Sequence, residues 1–545
     1  MIRGLPAEAV AAAEAPLLAT GVPLMERAAF ALAGRLWEVL RRRAAERRGP
    51  LPAARAVERR VLLLVGSGNN GGDALHAGAR LARRGVRVVA LALGSSVHDA
   101  GARALRDAGG EIRHVGAQDV GAAVALAAGS DLVVDAILGI GSDASSPALR
   151  GRAAEVVRGL VQAPDASGSR PTVVAVDLPS GVGADDGRVP EPTVVLTADL
   201  TVTFGAVKAG LLLAPAASRT GRIVVVDLGL DPAPSPGTVE RLEPDDLARL
   251  GLLQAPAHDA QKYSRGVLGV VAGTEEFPGA AVLTTNGAAG AGVGMIRYVG
   301  PDVAARLVLG ARPEVVTAQG RVQAWAVGPG LPAVPGDDAD DEHDAAALLR
   351  SGQVSPREHA RRAIAEACGS PGTGLAEAQV PVPAVVDAGG LALLPLRVPA
   401  SVVVTPHAGE LARLLRHRGH DVERAEVEAE PLRWARLAHE ETGATVLLKG
   451  PVTTVVGPSA VYAQDDGTPW LATAGAGDVL TGVLGALLAA HAERVLADPD
   501  GAALVAAAGA LLHGEAARRA SAGGPLAALD VAHALPATVA ALLAR

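Results

Sequence analysis

The sequence predicts an α/β protein of two domains, each built on a parallel sheet. At roughly 100–200 residues per domain, a chain of 545 residues is longer than one domain. Short apolar runs alternate with helical stretches, which is typical of parallel strands with helices on both faces. A proline-rich connector, DPAPSPG (231–237), separates two such regions. We therefore expect a domain over residues 1–230, a linker over 231–240 and a second domain over 241–545.

The first half begins with helical character and then alternates between strand and helix. Leu24, Met25, Ala28 and Ala29 recur at helical spacing. A further helix is expected over about 74–84. The strands that we expect are VLLLVG (61–66), VRVVALAL (86–93), DLVVDAILG (131–139) and TVVAVDLPSG (172–181).

The second half continues the alternation after the connector. The uncharged run 277–296 could span a bilayer by length, but it holds Pro278, Asn286 and five glycines, so we expect a buried turn and helix. The acidic segment 334–344 is expected to be an exposed loop. The predicted strands are GVLGVVAG (266–273), AWAVGPG (324–330), PAVVDAG (383–389), SVVVTPH (401–407) and TVLLKG (445–450).

Composition excludes several classes of protein. With 50 basic and 58 acidic residues the net charge is −8, and only 2% of residues are aromatic, so we expect no nucleic-acid partner. The single cysteine, Cys368, excludes an internal disulfide and a cysteine zinc cluster. No targeting segment is apparent, because Glu8 and Glu14 interrupt the N-terminus before an apolar run forms. We expect a cytoplasmic protein with small-molecule substrates and no membrane partner.

A glycine-rich stretch, GSGNNGGD (66–73), joins the first strand to a helix. Gly66, Gly68 and Gly71 satisfy G-x-G-x-x-G, whose glycines let the backbone approach a pyrophosphate. The second strand has no acidic residue at its end before Asp99, and no lysine follows the glycines, so neither a dehydrogenase fingerprint nor a P-loop is complete. A tight strand–helix turn explains the stretch equally well by itself.

Polar residues stand at three predicted strand ends of this half. The carboxyl ends of parallel strands are where open sheets bind ligands, and oxygen ligands suit a hard cation. Asp73 could instead cap the helix, and Asp135 could form a turn. The residues are Asn69, Asn70, Asp73, Asp135, Asp177 and Ser180.

Four stretches of the first half resemble the NAD(P)H-hydrate epimerase domain, also called the YjeF N-terminal domain. They are NNGGD (69–73), VDAILGIG (134–141), VDLPSGVGADDG (176–187) and ADLTVTFGAVKAG (198–210). The resemblance implies a Rossmann-like three-layer sandwich and a potassium ion near Asn70, Asp135 and Ser180. It implies that Asp177 contacts the substrate and serves in catalysis with Lys208. The residues it places at the hydrated nucleotide are Asn69, Asn70, Gly71, Gly72, Asp73, Gly139, Ile140, Gly141 and Asp177.

The most informative stretch of the second half is ATAGAGDVLTG (472–482). Small residues lead through Gly475 and Gly477 to Asp478, where an apolar helix starts. Backbone amides at such a start can hold a transferring phosphoryl group, and the carboxylate can accept a hydroxyl proton. An aspartate that caps the helix after a glycine turn is the structural alternative.

Three other predicted strand ends carry functional residue types. His407 stands in TPHAGE (405–410), where Pro406 and Gly409 favour an exposed turn over a core or capping histidine. Lys449 begins the turn of LLKGPVTTV (447–455), and GPG (328–330) supplies a further glycine turn. Four strand ends that meet at one edge indicate a site.

These stretches resemble the ribokinase-like NAD(P)H-hydrate dehydratase, the YjeF C-terminal domain, with an α/β/α fold. The resemblance implies that Gly330, His407 and Asp478 bind the hydrate and that Asp478 is the base. It implies ADP as phosphoryl donor, as in bacterial members, with magnesium; related eukaryotic enzymes use ATP. Asp387-Ala388-Gly389 differs from the family, which usually has a second aspartate in place of Gly389. The residues implied at the nucleotide are Lys449, Gly450, Pro451, Val452, Thr453 and Gly477.

Together the two resemblances predict a bifunctional repair enzyme for hydrated nicotinamide nucleotides. It would interconvert the R and S hydrates and dehydrate the S epimer, and we expect it to be a homo-oligomer. The alternative is a ribokinase-type small-molecule kinase fused to a non-catalytic nucleotide-binding domain. AMP that forms from ADP only when the hydrate is present would favour the dehydratase.

Overall fold

The computed structural model describes residues 1–48, 59–141, 147–163, 170–230, 232–332, 354–369 and 381–545. The chain divides into two compact units, which we call the first unit (Arg3–Val239) and the second unit (Met1–Ile2 with Glu240–Arg545). The acidic segment 334–344, expected to be an exposed loop, lies outside the described residues.

The first unit alternates strands and helices along most of its length. Two helices precede the first long strand, which ends at the glycine-rich stretch. Its elements in chain order are β1 (Ile2–Leu5), α1 (Ala7–Ala19), α2 (Leu24–Arg48), β2 (Arg60–Val65), α3 (Asn69–Ala82), β3 (Arg87–Ala92), α4 (Asp99–Asp107), β4 (Glu111–His114), α5 (Val120–Ala128), β5 (Leu132–Ala136), α6 (Gly151–Gln162), β6 (Thr172–Val176), β7 (Leu200–Phe204), β8 (Val207–Lys208), α7 (Ala217–Thr220) and β9 (Arg222–Val226).

Seven strands of this unit form one parallel sheet in the order β4-β3-β2-β5-β6-β7-β9. Successive residues of a strand face opposite sides, so Leu63 and Val65 pack with α2 and α3 while Leu62 and Leu64 pack with α5 and α6. The predicted three-layer sandwich is confirmed.

The four strands expected in this half are present as β2, β3, β5 and β6, and Leu24, Ala28 and Ala29 are buried on α2. The helix expected from about residue 74 begins earlier, at Asn69, because the chain turns directly from the glycines into α3. The strand β4 was not predicted, since its sequence EIRH is mostly exposed and lacks an apolar run.

The second unit also alternates strands and helices, but it ends in a run of helices. Its elements are β10 (Val239–Arg241), α8 (Pro244–Arg249), β11 (Val267–Val271), α9 (Pro278–Gly290), β12 (Met295–Tyr298), α10 (Asp302–Ala311), β13 (Ala324–Val327), α11 (Pro356–Ala367), β14 (Ala384–Val386), β15 (Val402–Val404), α12 (Ala408–Arg416), α13 (Arg424–Ala429), α14 (Pro431–Thr442), β16 (Thr445–Leu448), β17 (Thr453–Val456), β18 (Val461–Gln464), α15 (Ala476–Ala490), α16 (Ala492–Ala497), α17 (Gly501–Ser521) and α18 (Ala528–Leu543).

Its sheet has the strand order β12-β11-β13-β14-β15-β16-β17-β18-β10. The five predicted strands of this half are present as β11, β13, β14, β15 and β16. Together with β12, which was not predicted, they are parallel, whereas β17 runs antiparallel to both β16 and β18. The antiparallel strand β17 was not among the predicted strands. The connections 449–452 and 457–460 are too short for the crossover that parallel neighbours need, so they form hairpins.

Glycines let two apolar helices of the second unit, α9 and α15, approach closely. A Cβ added to Gly482 of α15 would lie 2.1 Å from the carbonyl oxygen of Thr284. One added to Gly287 of α9 would lie 2.4 Å from the carbonyl oxygen of Val479. The uncharged run around α9 therefore forms a packed core helix, as predicted.

No single helix in the described ranges is both long and apolar enough to cross a membrane. The stretches Ala7–Ala19 and Leu24–Arg43 meet the length and composition criteria only as a pair, and they are bent by 115° relative to each other.

Candidate functional site

The first candidate site lies where four adjacent strands of the first unit end. Strands β2, β5, β6 and β7 are neighbours in the sheet and run parallel, so their carboxyl ends share one edge. The glycine-rich turn, the loop after β5, the loop after β6 and the turn after β7 all begin there. This edge brings together most residues that the sequence singled out.

The glycine-rich turn depends on the absence of side chains. A Cβ on Gly66 would lie 2.0 Å from the carbonyl oxygen of Ile137, and one on Gly71 would lie 2.5 Å from that of Gly66. Because these glycines have no side chains, the start of α3 packs directly against the loop after β5. The free amides of the first turn of α3 therefore open onto the site.

The three residues expected to hold a cation are brought together around the backbone of Leu138. Asn70 donates from Nδ2 to the carbonyl oxygen of Leu138 at 2.8 Å, and the amide of Leu138 donates to Oγ of Ser180 at 2.9 Å. Ser180 also donates from Oγ to Oδ1 of Asp135 at 2.6 Å and from its amide to Oδ2 at 2.8 Å. Gly139 completes the group, because a Cβ there would lie 3.2 Å from Cβ of Asn70.

The oxygen atoms of this cluster are suitable ligands for a monovalent hard cation. Its polar atoms are amide, hydroxyl, carbonyl and carboxylate oxygens, which potassium and similar ions prefer. Asp135 is 1% exposed and, within the described part of the chain, forms no ion pair, so its burial raises the pKa of its carboxyl. A nearby cation would offset that buried negative charge.

A buried ion pair forms the second part of the first site. Lys208 donates from Nζ to Oδ1 of Asp177 at 2.5 Å and to the carbonyl oxygen of Phe204 at 2.8 Å. Thr203 donates from Oγ1 to the same Asp177 oxygen at 3.1 Å. Asp177 has a φ of +69°, a strained conformation for an aspartate, which places it at the turn after β6.

Asp73 lies inside the first turns of α3 rather than at its cap, which is Gly68. The structural alternative for Asp73 was therefore wrong. The residue is 9% exposed, and its Oδ1 is buried without a hydrogen-bond partner. Burial, followed by the negative charges of Asp177 and Glu14, raises the pKa of Asp73 to about 8.

The remaining predicted substrate residues of the first unit lie around this edge. Asn69 is the exposed first residue of α3, and Gly72 packs against the ring of His98. Ile140 is half-buried and Gly141 is exposed in the loop after β5, whose continuation over 142–146 lies outside the described residues.

The second candidate site is built in the same way in the second unit. Strands β13, β14, β15 and β16 are parallel neighbours, and the loops that follow them start at one edge. After β13, Gly328 has a φ of +116° and Gly330 a φ of +70°, so both need the freedom of glycine. A Cβ on Gly328 would lie 1.9 Å from the carbonyl oxygen of Asp387, which ties the loops after β13 and β14 together.

Asp387 and Lys449 form the centre of the second site. Lys449 donates from Nζ to Oδ1 of Asp387 at 2.7 Å, and Thr481 of α15 donates from Oγ1 to Oδ2 at 3.0 Å. Glu410 lies 3.8 Å from the same ammonium group through its Oε2. Burial by itself lowers the pKa of Lys449, but Asp387 and Glu410 more than offset this, so the pKa is raised and the lysine is charged.

Asp478 lies beside this pair in the first turn of α15, whose N-cap is Gly475. A Cβ on Gly477 would lie 3.4 Å from Nζ of Lys449 and 3.6 Å from Oδ2 of Asp387. Burial, followed by the negative charge of Asp387, raises the pKa of Asp478 to about 7, while Lys449 opposes the shift. A carboxyl with this pKa can accept a proton near neutral pH.

His407 is exposed, as predicted, and it also caps a helix, which the sequence did not favour. Its Nδ1 accepts hydrogen bonds from the amides of Gly409 at 3.0 Å and Glu410 at 3.3 Å, which caps α12. The neutral ring therefore carries its proton on Nε2, which lies 3.6 Å from Oε2 of Glu410. With 55% of the side chain exposed, His407 can also contact a ligand.

The predicted nucleotide residues from Gly450 to Thr453 form the tight connection between β16 and β17. Gly450 and Pro451 are exposed, Val452 is buried, and Thr453 begins β17. The amide of Lys449 donates to the carbonyl oxygen of Pro406 at 2.9 Å, which holds this connection beside the turn of His407.

The sequence did not assign Asp387, Glu410, Glu14 or His513 to a site. Asp387 was noted only as a departure from the family pattern, although its place at a strand end after an apolar run was a usable signal. His513 of α17 is buried, hydrogen-bonds to the backbone of Ala476 at the start of α15, and has an Nε2 without a partner. No spacing in the sequence links it to that turn.

Among the described residues, no group of three or more histidine, cysteine, aspartate or glutamate side chains could hold a metal ion. Both carboxylate oxygens of Asp387 are already engaged by Lys449 and Thr481. Magnesium usually keeps several waters and binds through substrate phosphates, so the residues present fit a magnesium ion that enters with a nucleotide better than a preformed cage.

Two family models match the chain. The one described as "YjeF-related protein N-terminus" matches residues 21–210, and the one described as "NAD(P)H-hydrate dehydratase" matches residues 268–348 and 375–536.

Curated proteins match over most of the chain or over its first half. The bifunctional NAD(P)H-hydrate repair enzyme Nnr of Mycobacterium tuberculosis is 39% identical over 498 residues, which cover 88% of each chain. The NAD(P)H-hydrate epimerase of Clavibacter sepedonicus is 50% identical over 228 residues, which cover 42% of this chain and 91% of that protein. A crystal structure of the ADP/ATP-dependent NAD(P)H-hydrate dehydratase of Bacillus subtilis, co-crystallised with ATP/Mg2+, is 23% identical, covers 55% of this chain and 97% of its own, and has a TM-score of 0.41.

Proposed function

The chain belongs to the family of bifunctional NAD(P)H-hydrate repair enzymes, and we propose that its two units divide the two reactions between them. The protein is an NAD(P)H-hydrate epimerase and an NAD(P)H-hydrate dehydratase. The first unit interconverts the R and S hydrates, and the second dehydrates the S epimer. The match of the separate epimerase to the first half alone supports this division.

In the first unit, Asp177 contacts the hydrated ring and handles the proton during epimerisation. Its burial and its pairing with Lys208 support this role, because a fixed carboxylate at a strand end is a positioned acid or base. Lys208 supplies the counter-charge and holds the carboxylate in place, and Thr203 limits its rotation.

The start of α3 and the loop after β5 bind the nucleotide part of the substrate. The amides from Asn69 to Gly71, which have no carbonyl partner within α3, suit phosphate oxygens, and the close packing of Gly139 on Asn70 sets the two segments side by side. Asn70, Asp135 and Ser180 would hold a potassium ion. That ion would supply positive charge beside the substrate.

In the second unit, Asp478 is the base. It takes the proton of the substrate hydroxyl as the terminal phosphoryl group of ADP transfers to the hydroxyl oxygen, and AMP is released. The bond from the ring carbon to this oxygen then breaks, and phosphate, a far better leaving group than hydroxide, departs. The neighbouring ring carbon loses a proton to solvent, so the ring double bond forms and NAD(P)H is restored. The observation that best supports this role is the position of Asp478 in the first turn of α15, beside the Lys449–Asp387 pair.

The nucleotide donor lies against Gly477 and the connection from Lys449 to Thr453, and the hydrate lies against Gly330 and His407. The charged lysine suits the phosphates, and the amides at the start of α15 suit the transferring group. A magnesium ion would enter with the donor and neutralise phosphate charge.

The test supplies pure R hydrate of NADH together with ADP and follows the absorbance of NADH. We expect absorbance to rise with R hydrate as well as with S hydrate, and to stay flat without a donor. A second assay with ATP in place of ADP shows which nucleotide is the phosphoryl donor. AMP release without any hydrate would favour a small-molecule kinase, and a flat trace with S hydrate under either donor would contradict the dehydratase.

The substrates are small molecules, and Cys368 is a free thiol. A free thiol supports a reducing compartment such as the cytoplasm as the site of action.

A further inference from the structure

A groove on the first unit lies apart from the strand ends that form its candidate site. It has a volume of about 710 Å³ and is lined by α2, the end of α3 and the end of β9. The candidate site contains the start of α3 at Asn69, and the other end of this helix lies roughly 21 Å away, at 1.5 Å per residue. Small-molecule pockets usually measure about 300–1,000 Å³, so the groove is a separate cavity of a suitable size for a small ligand.

Three arginines at the end of α3 line the groove without acidic partners. Among the described residues, the guanidinium groups of Arg80, Arg83 and Arg84 form neither an ion pair nor a hydrogen bond. The guanidinium carbon of Arg80 lies 5.2 Å from the ring centre of Phe30, and that of Arg84 lies 5.6 Å from the ring centre of Trp37. An aromatic ring holds a guanidinium group in place but leaves its full charge unneutralised. These contacts with α2 therefore fix two of the three cations at the wall of the groove.

The acidic residues of the groove offset only part of this positive charge. Glu38 already accepts hydrogen bonds from Arg35 at 3.1 Å and from Arg42 at 2.6 Å. Asp227, which follows β9, accepts a hydrogen bond from the amide of Gly229 at 2.7 Å. The carbonyl end of α3 adds about half an elementary negative charge, which is much less than three guanidinium charges. The groove is therefore electropositive, although the net charge of the whole chain is −8.

Phe30 supplies an exposed aromatic ring beside these cations. The residues before it in α2, Ala28 and Ala29, are buried, whereas Phe30 is 64% exposed and lines the groove. Arg80 lies over one face of the ring, so the exposed part of Phe30 can receive a second planar group. Gly34, one turn further along α2, also lines the groove, and a Cβ there would meet no atom within 4 Å. The groove therefore has open space next to the ring, in which a planar base could stack.

We propose that this groove binds a nucleotide with two or more phosphates, whose base stacks on Phe30 and whose phosphates lie among Arg80, Arg83 and Arg84. Guanidinium groups bind phosphate oxygens through paired hydrogen bonds, and every nucleobase has a flat face that stacks on an aromatic ring. An acidic peptide would match the arginines but would leave the stacking surface of Phe30 unused. The groove is separate from both sites of the proposed function, and its occupation does not depend on either reaction.

The test titrates ATP into the full chain by calorimetry, without hydrate and in about 0.15 M salt, where the Debye length is about 8 Å. The groove variant Arg83→Gln/Arg84→Gln removes two cations of the groove. The control variant Arg103→Gln/Arg106→Gln removes two exposed arginines of α4, which lie outside the groove. ATP that binds to the second unit is common to all three proteins, so the groove is measured as a difference between them.

We expect the wild type and the control variant to bind one equivalent of ATP more than the groove variant, or to bind it at least roughly tenfold more tightly. Equal ATP binding in the wild type and the groove variant would overturn the proposal. Equal losses in the groove and control variants would also overturn it, because net charge rather than the groove would then be responsible.

The contribution of Phe30 is tested with ATP and with inorganic triphosphate, which has no base. Phe30→Ala should weaken ATP binding by roughly fivefold or more and leave triphosphate binding unchanged, whereas Phe30→Tyr should keep both. Leu18→Ala is the control, since Leu18 is an exposed apolar residue of α1, 57% exposed, and it should behave like the wild type. Equal effects of Phe30→Ala on both ligands would remove base stacking from the proposal.

Sedimentation equilibrium of the same proteins tests a second copy of the chain as the occupant. A groove variant that has a lower mass than the wild type but binds as much ATP would make the groove an interface between copies and overturn the nucleotide site. Dehydration of pure S hydrate and the thermal midpoint of unfolding report whether each variant is folded. Both should match the wild type, because the changed side chains are exposed.

Discussion

Lys208 and Asp177 form an ion pair inside the first unit, with Nζ of the lysine 2.5 Å from Oδ1 of the aspartate and side-chain exposures of 1% and 9%. The pair is held by the carbonyl oxygen of Phe204 and the hydroxyl of Thr203 at the end of β7. Removal of one partner leaves a buried, uncompensated charge, which typically costs about 3–5 kcal/mol.

Asp177→Ala should therefore abolish conversion of R to S hydrate and lower the stability of the first unit. Dehydration of pure S hydrate should continue, because Asp478 lies in the other unit. Two progress curves on one preparation test this. Loss of both activities in a folded variant would indicate one shared site, and retention of both would remove Asp177 from the mechanism.

Asp478→Asn should reduce turnover of S hydrate by about 10²–10⁴-fold, the usual contribution of a positioned general base. Nucleotide binding should change little, because the amides at the start of α15 and Lys449 remain. Asp302→Asn is the matched control, since Asp302 is an exposed aspartate in the first turn of α10. Steady-state rates and nucleotide titrations separate the two effects, and a near-normal rate would contradict the assignment.

The rate of S-hydrate dehydration should rise with pH, with a midpoint at about pH 7. Asp478 must be ionised to accept the proton, and burial with the charge of Asp387 raises its pKa to about 7. In Asp387→Asn the negative neighbour is lost while Lys449 remains, so the midpoint of the kcat profile should move to lower pH. The assignment fails if the midpoint stays where it is in the wild type.

His513 should make the second unit less stable in acid. Burial lowers the pKa of its ring to about 4 from the ordinary 6.5, so the ring is neutral in the folded state. Below pH 6.5 the unfolded chain takes up the proton while the folded chain does not, so stability falls until pH 4. The loss amounts to about 3 kcal/mol.

Thermal midpoints of wild type and His513→Gln between pH 7 and 4 isolate this contribution. Other groups titrate equally in both proteins, so the wild-type midpoint should fall more steeply. Parallel curves would show that the ring is protonated in the folded state.

Gly482→Ala should destabilise the second unit by about 1–3 kcal/mol, because the added Cβ would lie 2.1 Å from a backbone oxygen of α9. Gly279→Ala is the control on α9, where a Cβ would meet no atom within 4 Å, and it should be neutral or slightly stabilising. Denaturant midpoints of both variants give the comparison. Equal effects would mean that helix propensity, not packing, determines the response at Gly482.

Local sequence determined the strands and the residues that follow them. β2, β3, β5 and β6 were predictable, because an apolar run that ends in glycine or aspartate has few other structures available to it. The placement of Asp135, Asp177 and Lys449 at strand ends follows from the same pattern. The reversed strand β17 was not predictable from its apolar residues, which look alike in parallel and antiparallel strands.

Tertiary structure alone decided which charges meet. Asp387 and Lys449 are 62 residues apart, and they pair because β14 and β16 flank β15 in one sheet. The strength of such interactions depends on burial and on neighbouring charges, and both arise only when distant segments are brought together. The pKa values of Asp478 and Asp73 therefore could not be predicted from the residues next to them in the sequence.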